Sequence, residues 1–181
     1  MLTFASTVSA LEVAGVSIGE TANVANRDLQ LNGAGIRYKA IFKVYTAALY
    51  LQEKKTTVNE VINVSGPRRV NLVMLRDVAS EEFSRFFLDG IRKNTSKADA
   101  GKIVNQLMKF GELFASIPEL KKGDTITADW DPASGTTLLM NGKKVGENLP
   151  DVAFYNALLK IWLGEKPADS KLKVSLLGGA G

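Results

Sequence analysis

A chain of 181 residues, 45% hydrophobic and 23% charged, is long and apolar enough to fold as one domain around a real core. It holds no cysteine and no histidine, which excludes thiol nucleophiles, Ser-His-Asp triads, disulfides and the common zinc sites, and leaves acid–base work to Asp, Glu, Lys, Tyr or water. The net charge of +4 is spread over pairs such as Arg68-Arg69, Lys121-Lys122 and Lys143-Lys144 with no long basic run, so nucleic acid is not an expected partner.

The first ten residues carry no charged side chain, and Val8-Ser9-Ala10 has the small-x-small form of a signal-peptidase site. Residues 1–10 therefore read as the remnant of a signal peptide, with a single domain over 11–181. No later stretch is long enough to span a membrane. Leu11 to Ile18 alternates weakly and predicts a first strand, closed by a turn at Gly19. Leu29 and Leu31 predict a second short strand that runs into a bend at Gly33 and Gly35.

The most informative stretch follows. From Ile36 to Tyr45, apolar Ile36, Tyr38, Ala40, Phe42 and Val44 alternate with Arg37, Lys39, Ile41, Lys43 and Tyr45, Ile41 being the exception. From Val44 to Leu51 polarity nearly vanishes, as in a strand covered on both faces. If Ile36 to Tyr45 is one straight strand, Arg37 and Tyr45 stand about 26 Å apart at roughly 3.3 Å per residue. Either a bulge or bend folds the stretch back, or the two do not form one site; Tyr38 to Val44 contains no Gly, Asn or Pro to mark a turn.

Val58 to Ile62 is too short to assign. Arg68 to Leu75 alternates as a central or near-central strand. Ser80 is placed to cap a helix from about Glu81 to Lys93, whose Phe83, Phe86, Phe87 and Ile91 make one apolar stripe, more simply core than ligand wall. Ser96 opens another helix that buries Ile103, Leu107 and Phe110 and stops at Gly111, with a short amphipathic piece through Ile117. A three-stranded meander follows: Thr125 to Trp130, Thr136 to Met140 after the Asp131-Pro132-Ala133-Ser134-Gly135 turn, and Lys143 to Val145 after Asn141-Gly142. Asp151 caps a helix with Val152, Tyr155, Leu158, Leu159 and Trp162 inward, ended by Gly164. Pro167-Ala168-Asp169 starts a last helix through about Leu176. Strands, helices, strands and helices in that order imply an α+β fold, an open-faced β-sandwich in which a layer of helices covers one face of a large, mostly antiparallel sheet.

Four segments, Leu31-Asn32-Gly33-Ala34-Gly35-Ile36-Arg37, Lys43 to Leu51, Leu75-Arg76-Asp77-Val78 and Leu163-Gly164-Glu165-Lys166-Pro167, resemble the chalcone isomerase-like family, in its bacterial branch. The resemblance covers nearly all of the chain after Ala10. It implies the same open-faced sandwich. Plant members that are enzymes close a chalcone into a flavanone, others bind fatty acids, and bacterial members look exported, which would make this a periplasmic or secreted protein. By resemblance, Arg37 matches the arginine that the enzymes use against a developing oxyanion. Tyr45 falls where the enzymes carry a catalytic threonine and where fatty-acid-binding relatives look to carry tyrosine. The tyrosine and asparagine that the enzymes also need would fall near Glu82 and Asp89 ungapped, or near Phe83 and Gly90 with one gap, and neither alignment restores them. A polar pocket residue of the penultimate helix would fall near Tyr155.

Three functions follow. In the first, which the site residues favour, a non-catalytic protein binds an amphipathic, anionic small molecule such as a fatty acid through Arg37 and Tyr45, with Phe83, Phe86 and Phe87 as apolar wall. In the second, Arg37 is a catalytic cation of a chalcone-flavanone isomerase, an intramolecular lyase. In the third, an exported domain acts through a partner-binding surface. None of the three calls for a metal or cofactor.

Overall fold

A computed structural model describes residues 9–181, so most of the expected leader remnant lies outside the described residues. The strands are β1 (Ala10–Val13), β2 (Val16–Gly19), β3 (Thr21–Val24), β4 (Arg27–Lys39), β5 (Phe42–Leu51), β6 (Arg68–Met74), β7 (Val78–Ala79), β8 (Glu119–Leu120), β9 (Thr125–Asp131), β10 (Gly135–Met140) and β11 (Lys143–Lys144). The helices are α1 (Val58–Ile62), α2 (Ser80–Asn94), α3 (Lys97–Lys102), α4 (Val104–Ala115), α5 (Val152–Leu163) and α6 (Ser170–Leu176). Seven strands form one large curled antiparallel sheet in the order β11-β10-β9-β6-β5-β4-β3, with β6 at its centre. The fold is α+β, as the element order implies, with the helices layered on one face.

Alternation decides what each face meets. Tyr45, Ala47, Leu49 and Leu51 of β5 and Val70, Leu72 and Met74 of β6 point to the helix layer and share its core with Phe87, Phe110, Leu158 and Trp162. The other side of β5, at Ala48 and Tyr50, packs with Ile18, Val24 and Leu29, so the β1–β2 hairpin covers the sheet there. That second cover is why Val44 to Leu51 lacks polarity. Further along, the same outer face is polar: Arg69 grips Asp129 across the β6–β9 pair through two contacts of 2.6 Å.

Several sequence expectations change. The first strand is two strands, because Ala14 and Gly15 take left-handed φ of 50° and 78° and close a tight hairpin. The bend expected at Gly33 and Gly35 is absent, and β4 runs straight through both. Their missing side chains serve a different need, the close approach of α6. A Cβ on Gly33 would strike the Ser175 carbonyl and come within 2.9 Å of the Leu176 backbone. Asn32, bulged from the ladder, donates to the Leu176 carbonyl at 2.7 Å and fixes the helix there. Ser80 does not cap α2; Ala79 holds that position and Ser80 is buried within the first turn. Gly111 does not end a helix but lies inside α4, and the helix expected from Ser96 is two, α3 and α4, divided at Ile103. Val152 faces outward. Thr57 and Glu60 form a reciprocal capping box that makes the unassigned α1 a true helix.

Two glycines test this reading. Gly33→Ala should destabilise the protein by about 1–3 kcal/mol, because backbone and not a mobile side chain occupies the space. Gly111→Ala, in a helix interior with nothing within 4 Å of the new Cβ, should stabilise by about 0.5–1 kcal/mol. Urea denaturation of both variants measures the signs.

Candidate functional site

β4 and β5 are the two arms of a hairpin, and the apparent single strand from Ile36 to Tyr45 turns back on itself. Ala40 and Ile41 make a two-residue turn between the paired Lys39 and Phe42, with Ala40 at φ 54°. A left-handed alanine costs about 1–2 kcal/mol, which the long β4–β5 ladder offsets. Ile41, the exception to the alternation, is the turn itself. An irregularity beside Val44 then shifts the register by one, so Arg37 stands directly opposite Tyr45. Cross-strand Cα atoms in such a pair lie about 5 Å apart, so the two residues are direct neighbours across the hairpin.

Tyr45 is buried and reaches under α2, where the Phe83 ring meets it edge-on at 6.5 Å. Trp162 of α5 donates its indole N–H to the Tyr45 hydroxyl oxygen at 3.0 Å. The hydroxyl's own proton has no acceptor among the described residues. Burial pushes the Tyr45 pKa above its ordinary value, against the smaller opposite pulls of the Trp162 hydrogen bond and the nearby Arg37 charge. The residue is therefore a neutral donor. Arg37 is half-buried, and no carboxylate lies within ion-pair distance of it among the described residues. Asp169, whose charge is felt at Tyr45, is already engaged: it caps α6 through the Lys171 and Leu172 N–H groups and accepts the Tyr38 N–H at 3.1 Å.

Arg37 and Tyr45 line a cleft of about 580 Å³ between the hairpin, α2 and the α5–α6 connection. Val44, Phe83 and Phe87 give it an apolar floor, with Phe42 and Phe86 at its mouth. The stripe of α2 thus divides: Phe83, Phe87 and Ile91 are buried, while Phe86 is 44% exposed. Cations outnumber acids in the lining, with Arg37, Lys39, Arg76, Lys93 and Lys166 against Asp77, Glu82 and Asp89. Lys39 pairs with Glu82 at 3.0 Å. Asn94, at the end of α2, holds the Lys166 backbone by both its N–H and its carbonyl, at 2.8 and 2.9 Å, and so fixes the far wall.

All four segments that carry the family resemblance touch this cleft: Arg37, then Val44 and Tyr45, then Arg76, Asp77 and Val78, then Lys166 and Pro167. Glu82, Phe83, Asp89 and Gly90 also line it, so either alignment of the missing tyrosine and asparagine falls on the cleft wall. Tyr155 does not. It lies fully buried elsewhere in the core, its hydroxyl donating to the Ala128 carbonyl at 3.0 Å, and burial pushes its pKa up strongly. Sequence reasoning took Trp162 only as core and gave no role to Asn94. The segment Leu163 to Pro167 was the available signal for the first, one residue away; nothing local marks the second. Among the described residues no three potential metal ligands come together, and no helix is long and apolar enough to cross a membrane.

The sequence matches the profile of the chalcone isomerase-like proteins over residues 10–178. The chain belongs to this family. No curated protein sequence matches it. Among solved structures it is similar to a fatty-acid binding protein of Arabidopsis thaliana, with a TM-score of 0.67 over 90% of this chain and 92% of that one. The identity is 16%, so the likeness is one of fold. Family membership and fold agree with the family named from the four segments, and neither bears on its bacterial branch.

The Trp162–Tyr45 bond has a measurable signature. Trp162→Phe leaves the buried hydroxyl oxygen without its donor, and Tyr45→Phe leaves the indole N–H without an acceptor; each should cost about 1–3 kcal/mol. The double variant should lose less than the two single losses together, by about 1 kcal/mol, in denaturant titrations. Strict additivity would mean that the bond contributes nothing.

Proposed function

We propose that this protein binds the anionic head of a small amphipathic molecule, such as a fatty acid, between Arg37 and Tyr45, without transforming it. The observation that carries the reading is the pair itself. A half-buried guanidinium, without a carboxylate partner among the described residues, stands across from a hydroxyl whose oxygen is already satisfied by Trp162 and whose proton is free to be given. A carboxylate is the group that accepts from both, by charge-assisted hydrogen bonds strengthened in a partly dry cleft. The apolar part of the ligand lies along Val44, Phe83 and Phe86. Beneath them Phe110 and Trp162 pack closely against the floor residue Phe87, with Phe87 and Phe110 stacked at 5.4 Å, so the tail runs along the wall toward Phe42 and not into the core. The shared fold with a fatty-acid binding protein supports the choice of ligand class.

The isomerase reading takes support from Arg37 and from the family. Against it, the cleft wall offers Glu82 and Asp89, or Phe83 and Gly90, where the resemblance asks for a tyrosine and an asparagine. Export is part of the proposal. Val8-Ser9-Ala10 has the form of a cleavage site, and the family match begins at residue 10. N-terminal sequencing of the periplasmic or secreted protein should give Leu11 first, and retention of Met1 would count against export.

Calorimetric titration with decanoate tests the binding proposal. Arg37→Ala should weaken binding about 10- to 100-fold, and Tyr45→Phe about fivefold. Because the neutral phenol is the donor and burial raises its pKa, affinity should stay flat up to at least about pH 10, the ordinary tyrosine value. It should fall in acid as the ligand carboxylate takes up a proton. One result decides for the alternative: flavanone formation from a chalcone substrate, abolished by Arg37→Ala, would make the protein an isomerase.

A further inference from the structure

We propose that the tip of the β4–β5 hairpin docks onto an anionic lipid bilayer. Turn residues are ordinarily polar or glycine, yet this turn carries Ile41 at 84% exposed, followed by Phe42 at 52% and flanked by Tyr38 at 38%. Between Ile36 and Thr46 the chain has three cations, Arg37, Lys39 and Lys43, and no acid. Arg76 from the neighbouring loop lies over the Phe42 ring at 4.7 Å, and Lys39 over the Phe86 ring at 4.2 Å. Apolar side chains and cations thus interleave on one projecting edge.

The nearby acids offset only part of this charge: Glu82 neutralises Lys39, while Asp77, which accepts the Lys122 N–H at 2.7 Å, and Asp169, held by backbone N–H groups, keep their charge but pair with no cation of the tip among the described residues. Lys43 and Arg76 have no ion-pair partner among the described residues. Such a tip matches the two layers of a membrane surface: Ile41, Phe42 and Tyr38 enter the headgroup boundary, and Lys43 and Arg76 meet lipid phosphates. A protein partner fits less well. A specific interface takes about 800 Å² from each side, and a convex two-residue turn with three apolar side chains does not present it. Phe42 belongs to both the tip and the cleft mouth, so a docked protein would hold the cleft open toward the layer where amphipathic molecules partition. The docking surface goes beyond the ligand reading and stands without it.

Co-sedimentation of the full chain with vesicles tests the proposal, using pure phosphatidylcholine against phosphatidylcholine mixed with phosphatidylglycerol. Binding should require the anionic lipid and weaken as salt rises. Ile41 and Lys43 lie outside the cleft lining, so Ile41→Ser and Lys43→Glu should keep the wild-type decanoate affinity. Each should weaken vesicle binding, Lys43→Glu by at least about fivefold, the worth of one cation at such a surface. Arg37→Ala should weaken decanoate binding more than vesicle binding, which separates the two proposals. Absence of vesicle binding, equal binding to both compositions, or wild-type vesicle binding by both tip variants would overturn the docking surface. Concentration-dependent self-association lost in Ile41→Ser, without vesicle binding, would assign the tip to a second copy of the chain and overturn it as well.

Discussion

The hydrogen bond from Trp162 to Tyr45 is the contact on which the cleft depends. It joins the sheet to the helix layer at the point where the two part, and it fixes which way the tyrosine can act. With its oxygen taken by the indole N–H, Tyr45 is left with a proton to donate, beside a guanidinium that pairs with no carboxylate among the described residues. The supports around this bond are backbone ones. Asn32 and Gly33 seat α6 on β4, Asp169 ties the start of α6 to the Tyr38 N–H, and Asn94 pins the Lys166 backbone to the end of α2. The site residues sit on long secondary-structure elements, and polar side chains that touch no ligand hold those elements in register.

Two arginines show how burial and partners set a role. Arg68, in the centre of the sheet, has no exposed surface and donates to the carbonyls of Val61 and Ile62 at the end of α1 and to Asn156 at 2.9 Å. Its plane faces the Tyr155 ring at 5.1 Å, and burial pushes its pKa down. That guanidinium closes a helix end and has no route to solvent. Arg37 has the reverse arrangement, half-buried with an open side facing a cleft. The same residue type is a strut in one place and a free cation in the other.

Much of the frame was legible in the sequence because the local signals were strong and uncontested. Asn141-Gly142 closes a hairpin with both residues at positive φ, Asp151 caps α5, and the alternation of Arg68 to Leu75 marks the central strand. The β4–β5 turn was hidden because alanine and isoleucine carry no turn chemistry; the only trace was one misplaced apolar residue, Ile41. The glycines at 33 and 35 were ambiguous for a physical reason, since a bend and a close helix contact ask for the same absent side chain. Arg37 and Tyr45 stood out as residues, but their meeting depended on that hidden turn and on a one-residue shift beside Val44. Trp162 and Asn94 were invisible as site residues because their partners lie 117 and 72 positions away.

The most direct measurement of the central claim is the carbon-13 resonance of carboxyl-labelled decanoate followed against pH in the bound state. A carboxylate held by Arg37 and Tyr45 is stabilised in its charged form, so its titration midpoint should lie below that of the free acid and return toward it in Arg37→Ala. A midpoint at or above the free value would mean that the head group lies in apolar surroundings or in water, and the guanidinium–hydroxyl pair would not be its binding site.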